Sequence, residues 1–145
     1  MEPRRDVAEP IKDTRAMIAQ MQPLLHPGAY VFCSCTRDAL ATDVAKAARG
    51  SFVEDEGMSF ILPQEEAERF GIAGGIPMRQ ITLTVRSALD GVGLTAAVSS
   101  ALAAQGIPAN VVAATRHDHV FVPADRAEEA LAILRARQAE AQDGP

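Results

Sequence analysis

Apolar positions along the chain switch repeatedly between a helical and a strand spacing, and the switches divide it into short elements. From Pro10 the set Ile11, Met17, Ile18 and Met21, with Leu24 and Leu25, predicts an amphipathic helix that stops near Pro23. "HPGAY" reads as a turn and "AYVFCSC", Ala29 to Cys35, as an apolar strand. "TRDALATDVAKAARG" carries a short helix closed by Gly50, and "SFVEDEGMSFIL" a hairpin turning at Glu56 and Gly57. Pro63 suits the first turn of a helix, "PQEEAERFGI", which Gly71 ends. "AGGIP" is the best linker. In "RQITLTV", Ile81, Leu83 and Val85 face one way and Thr82 and Thr84 the other, the pattern of a half-buried strand. The loop "SALDGVG" precedes a helix, "LTAAVSSALAAQG", that Gly106 ends. "IPANVVAAT" is then a strand, "RHDH" a turn, "HVFVP" a strand, and Pro123 opens a last helix from about 124 to 137. The segments 1–10 and 141–145 are expected to be flexible tails, with fraying along "QAEAQDGP".

A weak repeat runs through this order. "FILPQEEAE" around Pro63 matches "VFVPADRAE" around Pro123: apolar strand, proline, acidic first turn, alanine, glutamate. Each half therefore reads strand, helix, strand, strand, helix. That order builds an α+β fold, with helices on one face of an antiparallel sheet. The units are expected over 11–72, including the N-terminal helix, and 73–140.

Composition narrows the function. The 145 residues are 48% hydrophobic and 23% charged, ordinary for a globular chain. A formal net charge of -5 and scattered arginines argue against a nucleic-acid binder. No apolar run approaches the ~20 residues that cross a bilayer, and "MEPRRDVAEP" lacks a secretion signal. Two cysteines at i, i+2 suit a reducing cytoplasm better than a disulfide framework.

The loop "SALDGVG" carries the strongest chemical suggestion. A helix beginning near Gly93 points unsatisfied N–H groups at it, and such an N-terminus suits a carboxylate. Gly91 and Gly93 permit close approach, and Asp90 can answer an ammonium group or simply cap the helix. Asn110, in an apolar strand, needs partners, which a turn also supplies. In "EDEG", Glu54 and Glu56 are either solvated hairpin acids or readers of a ligand's side chain. "HDH" invites a metal reading, but His117 and His119 supply two ligands where zinc takes three or four, and "CSC" lacks the usual spacing. A polar hairpin, with His117 and Asp118 at the edge of a pocket, is the alternative. Burial in an apolar strand is expected to raise the Cys33 pKa and leave its sulfur inert. No nucleophile elbow or phosphate loop occurs.

The order of elements resembles an ACT domain. "YVFC" (Tyr30 to Cys33), "EDEGM" (Glu54 to Met58), "ITLTVRSALDGVGLTAAVS" (Ile81 to Ser99), "GIPANVVA" (Gly106 to Ala113) and "HDHVFVP" resemble short bacterial proteins in which two ACT-like units are fused. The resemblance covers about residues 10–137. It implies a ferredoxin-like fold, a regulatory role without catalysis or cofactor, and a free amino acid as ligand. It implies a site at Ser87, Leu89, Asp90, Gly91, Val92, Gly93, Leu94 and Thr95, facing Asn110, Val111 and Val112, with specificity from Glu54, Glu56, His117 or Asp118. Unpaired sheet edges add the expectation of a homodimer or higher homo-oligomer. Two other functions compete: a small metal- or thiol-dependent enzyme built on "HDH" and "CSC", and an interaction module without a ligand.

Overall fold

A computed structural model describes residues 13–144. The first helix, α1 (Thr14–Ala19), starts where Asp13 caps it by accepting from Ala16 N at 2.8 Å. It is shorter than the spacing predicts, and the part of that expectation before residue 13 lies outside the described residues. The chain turns at Gln22, whose φ is 40°, and Leu24 and Leu25 belong instead to a strand, β1 (Pro23–Leu25). There follow β2 (Tyr30–Cys35), α2 (Ala39–Ala47), β3 (Gly50–Glu54), β4 (Gly57–Pro63) and α3 (Gln64–Phe70). After the linker come β5 (Met78–Leu83), α4 (Leu94–Ala103), β6 (Asn110–Ala113) and β7 (Asp118–Pro123). A 3-10 turn at Ala124–Arg126 leads into α5 (Ala127–Asp143). The last helix thus runs past 137, and residues 141–143 are helical rather than frayed. Ala141 is buried, and its carbonyl accepts from Arg15 Nε at 3.0 Å.

The strands form one seven-stranded antiparallel sheet in the order β3-β4-β2-β5-β7-β6, with β1 also on β5. β1 and β2 lie end to end along one edge of β5: Leu25 pairs with Ile81, and Tyr30 with Met78. That single Tyr30–Met78 pair is the seam between the two halves. The α+β ferredoxin-like architecture with helices on one face is as the sequence implies.

Two apolar cores fill the helix side. The smaller joins Val31, Val44, Phe60, Leu62 and Ala67. The larger joins Ile81, Leu83, Val98, Leu102, Val120 and Leu134 with Met17, Ile18 and Met21. The N-terminal helix, assigned by sequence order to the first unit, therefore packs on the second. Its apolar face is complementary to α5, whose Gln138 and Gln142 donate to Ala19 O. On the opposite, helix-free side the sheet curls. Residues of the two outermost strands, Ser51 and Phe52 of β3 and Val112 of β6, line a common cleft of about 580 Å³.

Candidate ligand-binding sites

The segment leaving β5 is held from three sides. Met21 O accepts from Thr84 N (2.7 Å) and Val85 N (3.4 Å), Ser87 Oγ donates to Asp118 Oδ2 (3.3 Å), and His117 Nδ1 donates to Val85 O (3.3 Å). Gly91 N bonds back to Ala88 O, closing a turn that leaves Leu89 and Val92 about three-quarters exposed. Gly93, at φ 106°, is the N-cap of α4 and supplies no side-chain acceptor. Leu94 is buried beneath it and Thr95 exposed. Thr14 Oγ1 donates to Val92 O, so α1 buttresses the loop. The first turn of α4 thus presents N–H donors and the positive end of its dipole, with no acidic residue in that turn.

The strand expected to face this loop lies elsewhere. Val111 packs toward the helix-side core, so alternation sends Asn110 and Val112 to the helix-free face. Through Phe121, Asn110 is level with Gln80 in mid-β5, whereas Ala113, through Asp118, is level with Leu83. Within one chain Asn110 and the loop therefore sit on opposite faces of the sheet. Sequence spacing hid this, because it fixes neither which face a strand turns to the helices nor which end adjoins a loop.

Glu54 ends β3, exposed, with one carboxylate oxygen accepting from Ser59 Oγ; Glu56 lies exposed in the hairpin turn. His117 and His119 share a face, their rings edge to face at 6.5 Å, and Asp118 faces away, largely buried. β7 begins at Asp118, so Asp118 as well as His119 belongs to the strand rather than to the turn. Cys33 and Cys35 pack against the helix-side core, on the other face of the sheet from the histidines. Among the described residues no group of three or more His, Cys, Asp and Glu side chains stands close enough to hold a metal. Burial, and then Cys35, push the Cys33 thiol above its ordinary value.

A second constellation was not anticipated. "RQITLTV" reads as half-buried, yet Gln80 and Thr82, on its polar row, are 1% and 5% exposed. His26 and His119 cover them, each bonded to Thr82 Oγ1 (2.7 and 2.9 Å), and Arg49 arrives from the first unit. Arg49 Nε only donates, so its 3.0 Å bond fixes Gln80 Oε1 as acceptor and Gln80 Nε2 as donor. Gln80 Nε2 then donates to Thr82 Oγ1 and His119 Nδ1, each at 3.0 Å. His119 Nδ1 is therefore an acceptor, and the neutral ring carries its proton on Nε2. The available signal was the row of Gln80 and Thr82 itself, polar residues inside a strand flanked by apolar ones.

Burial, followed by the Arg49 charge, lowers the pKa of both His26 and His119 below 6.5. Where the folded pKa is depressed, the unfolded chain binds more protons. The stabilisation is then complete above about pH 6.5 and is lost as pH falls through the folded values. Urea midpoints should accordingly drop between pH 7.5 and 5.5, and the drop should shrink in His119→Gln. An undiminished drop in that variant would place the titration elsewhere.

Residues 9–79 match one ACT domain family model, and residues 76–136 match a second. The chain belongs to the tandem ACT-domain proteins. Among solved structures, a Vibrio cholerae protein of unknown function, described as a possible transport protein, is 38% identical. That match covers 86% of this chain and 94% of the other, with a TM-score of 0.77. A protein from Agrobacterium tumefaciens is 21% identical over 80% and 87% of the two chains, TM-score 0.63. The regulatory subunit of aspartate kinase from Thermus flavus is 16% identical over 79% and 95%, TM-score 0.57. The last two share the fold with this ACT-domain protein. No curated protein matches the chain. Its fold is of the ACT regulatory type, and no helix among the described residues is long and apolar enough to cross a membrane.

Proposed function

We propose that this ACT-domain protein is a non-catalytic regulator that binds a free amino acid at the loop before α4. It would act in the cytoplasm as a homodimer or higher homo-oligomer, as two units over 11–72 and 73–140. The observation that carries the reading is the start of α4. It is capped by a glycine without a side-chain acceptor, and braced by Thr14. Its N–H donors suit an α-carboxylate, and Asp90, three residues before the cap, suits an ammonium group. Because Asn110 lies on the other face of its own sheet, its contribution would come from a second chain. The exposed Asn110 on the edge strand β6 is compatible with that arrangement.

The test is a thermal-shift panel of the twenty amino acids at millimolar concentration, with light scattering on the same samples. A ligand at a hundredfold excess over Kd adds about 2.7 kcal/mol, several degrees for a chain of this size. Asp90→Ala should abolish the response while leaving the unliganded stability within about 1 kcal/mol of wild type. If no amino acid shifts the protein, or if Asp90→Ala and Asn110→Ala both respond normally, the site is wrong. A monodisperse monomer at micromolar concentration would overturn the assembly.

A further inference from the structure

The helix-free face contains a cleft that the loop site does not use. Its walls are Phe32 of β2, Ile61 of β4, Phe52 of β3 and Val112 of β6, and Gly50 and Gly75 also line it. At about 580 Å³ it lies within the ~300–1,000 Å³ of small-molecule sites, and its lining is mainly apolar, as theirs is. One end adjoins the polar constellation. Gly50 follows Arg49 in sequence, and Val112 is the cross-strand partner of His119. Phe32 stacks edge-on against Phe121, which pairs with Gln80. Among the described residues the Arg49 guanidinium is engaged only through Nε, with Gln80, and makes no ion pair. All three histidines of the chain gather here, and burial, followed by the charges of Arg49 and the other two rings, disfavours the imidazolium form of His119. An anion would relieve that field. The carboxylate of Glu54 stands four residues along β3 from Gly50, tied to Ser59 at the far end of the cleft.

We propose that this cleft is a second binding site, for a small carboxylate carrying an apolar body. The carboxylate lies against Arg49 and His119, and the body lies between Phe32, Phe52, Ile61 and Val112. Guanidinium supplies charge and paired donors, while the His119 ring, with its proton on Nε2, adds one more without needing to ionise. Because the site draws residues from both outer strands, occupancy ties the two halves of the curled sheet together.

The experiment is an NMR titration of the full chain, following the Cε1–H signals of its three imidazoles with sodium hexanoate and with 1-hexanol. Hexanoate should move the His26 and His119 signals saturably and raise their titration midpoints, since a neighbouring anion favours imidazolium. The alcohol, with the same apolar body, should bind at least about tenfold more weakly, the scale of one charge-assisted contact. Arg49→Gln should cost hexanoate a similar factor. Phe52→Ala, at a side chain 72% exposed and outside the apolar cores, should weaken hexanoate but not acetate. Asp90→Ala should leave hexanoate binding intact, which separates this site from the loop. Equal responses to acid and alcohol, or wild-type affinity in Arg49→Gln, would overturn the proposal. So would a Phe52→Ala variant that changes the mass in light scattering but not the hexanoate response, because a second copy would then cover this face.

Discussion

Met21→Ala should lower the unfolding free energy by about 2–5 kcal/mol, and the loss should fall on the far half of the chain. Met21 is fully buried among Ile81, Leu83, Val98 and Leu134, and its carbonyl receives the two N–H groups that turn the chain out of β5. Alanine leaves a cavity in that core, while the smaller core around Phe60 and Val44 keeps every one of its contacts. Urea denaturation gives the magnitude, and native-state hydrogen exchange gives the location. Amides of β5, α4 and α5 should lose protection, and those of β2, β4 and α2 should keep it. Protection lost first around Phe60 would mean that the N-terminal helix serves the first unit after all.

Gly93→Ala should be nearly as damaging, for two separable reasons. At φ 106° an alanine is strained by about 1–2 kcal/mol. Its methyl group would also stand 2.5 Å from Thr14 Cγ2, an overlap that something must move to relieve. Overpacking of that kind costs about 1–3 kcal/mol. Thr14→Ala removes the clashing methyl but not the torsional strain, leaving the neighbouring Cβ at an ordinary 3.4 Å. In a double-mutant cycle the Gly93→Ala penalty should fall by the steric share and no further. A penalty unchanged in the Thr14→Ala background would mean that α1 does not press on the loop.

Much of the fold was legible because its signals are local. The prolines at 63 and 123, the alternation of Ile81 and Leu83, and the closing glycines at 71 and 106 each act within a few residues. The elements stand within a few residues of where these put them: β5 stops at Leu83 short of Val85, α4 stops at Ala103, and a 3-10 turn separates Pro123 from α5. What escaped was set by distant partners. Leu24 and Leu25 continue a helical spacing, but the free edge of β5 takes them as a strand. Residues 141–143 look like a polar tail, but Ala141 packs into the larger core, Arg15 reaches its carbonyl, and Gln142 bonds Ala19 O. The loop at 87–95 was legible for the same local reason, through its glycines and the helix after it. Asn110 was legible as an oddity, but not its face. Gln80 and Thr82 already share a row of β5, but Arg49 joins them only when the sheet curls, a property of the whole assembly of strands that no window of sequence contains.

The packing of α1 and β1 on the second half also bears on the order in which the chain can fold. From Tyr30 to Phe70 the first unit closes on contacts between near neighbours in sequence, and a growing chain can complete it early. The second cannot follow the same course. Its core waits for α1, which precedes the first unit, and for α5, which follows β7, joined by a contact spanning 119 residues between Gln138 and Ala19. Bringing such separated segments together costs loop entropy before any burial offsets it, and long sequence separations slow folding. In the interval Met17, Ile18 and Met21 are an unpartnered apolar stripe ahead of the closed first unit, a segment on which a holdase or a wrong neighbour would act.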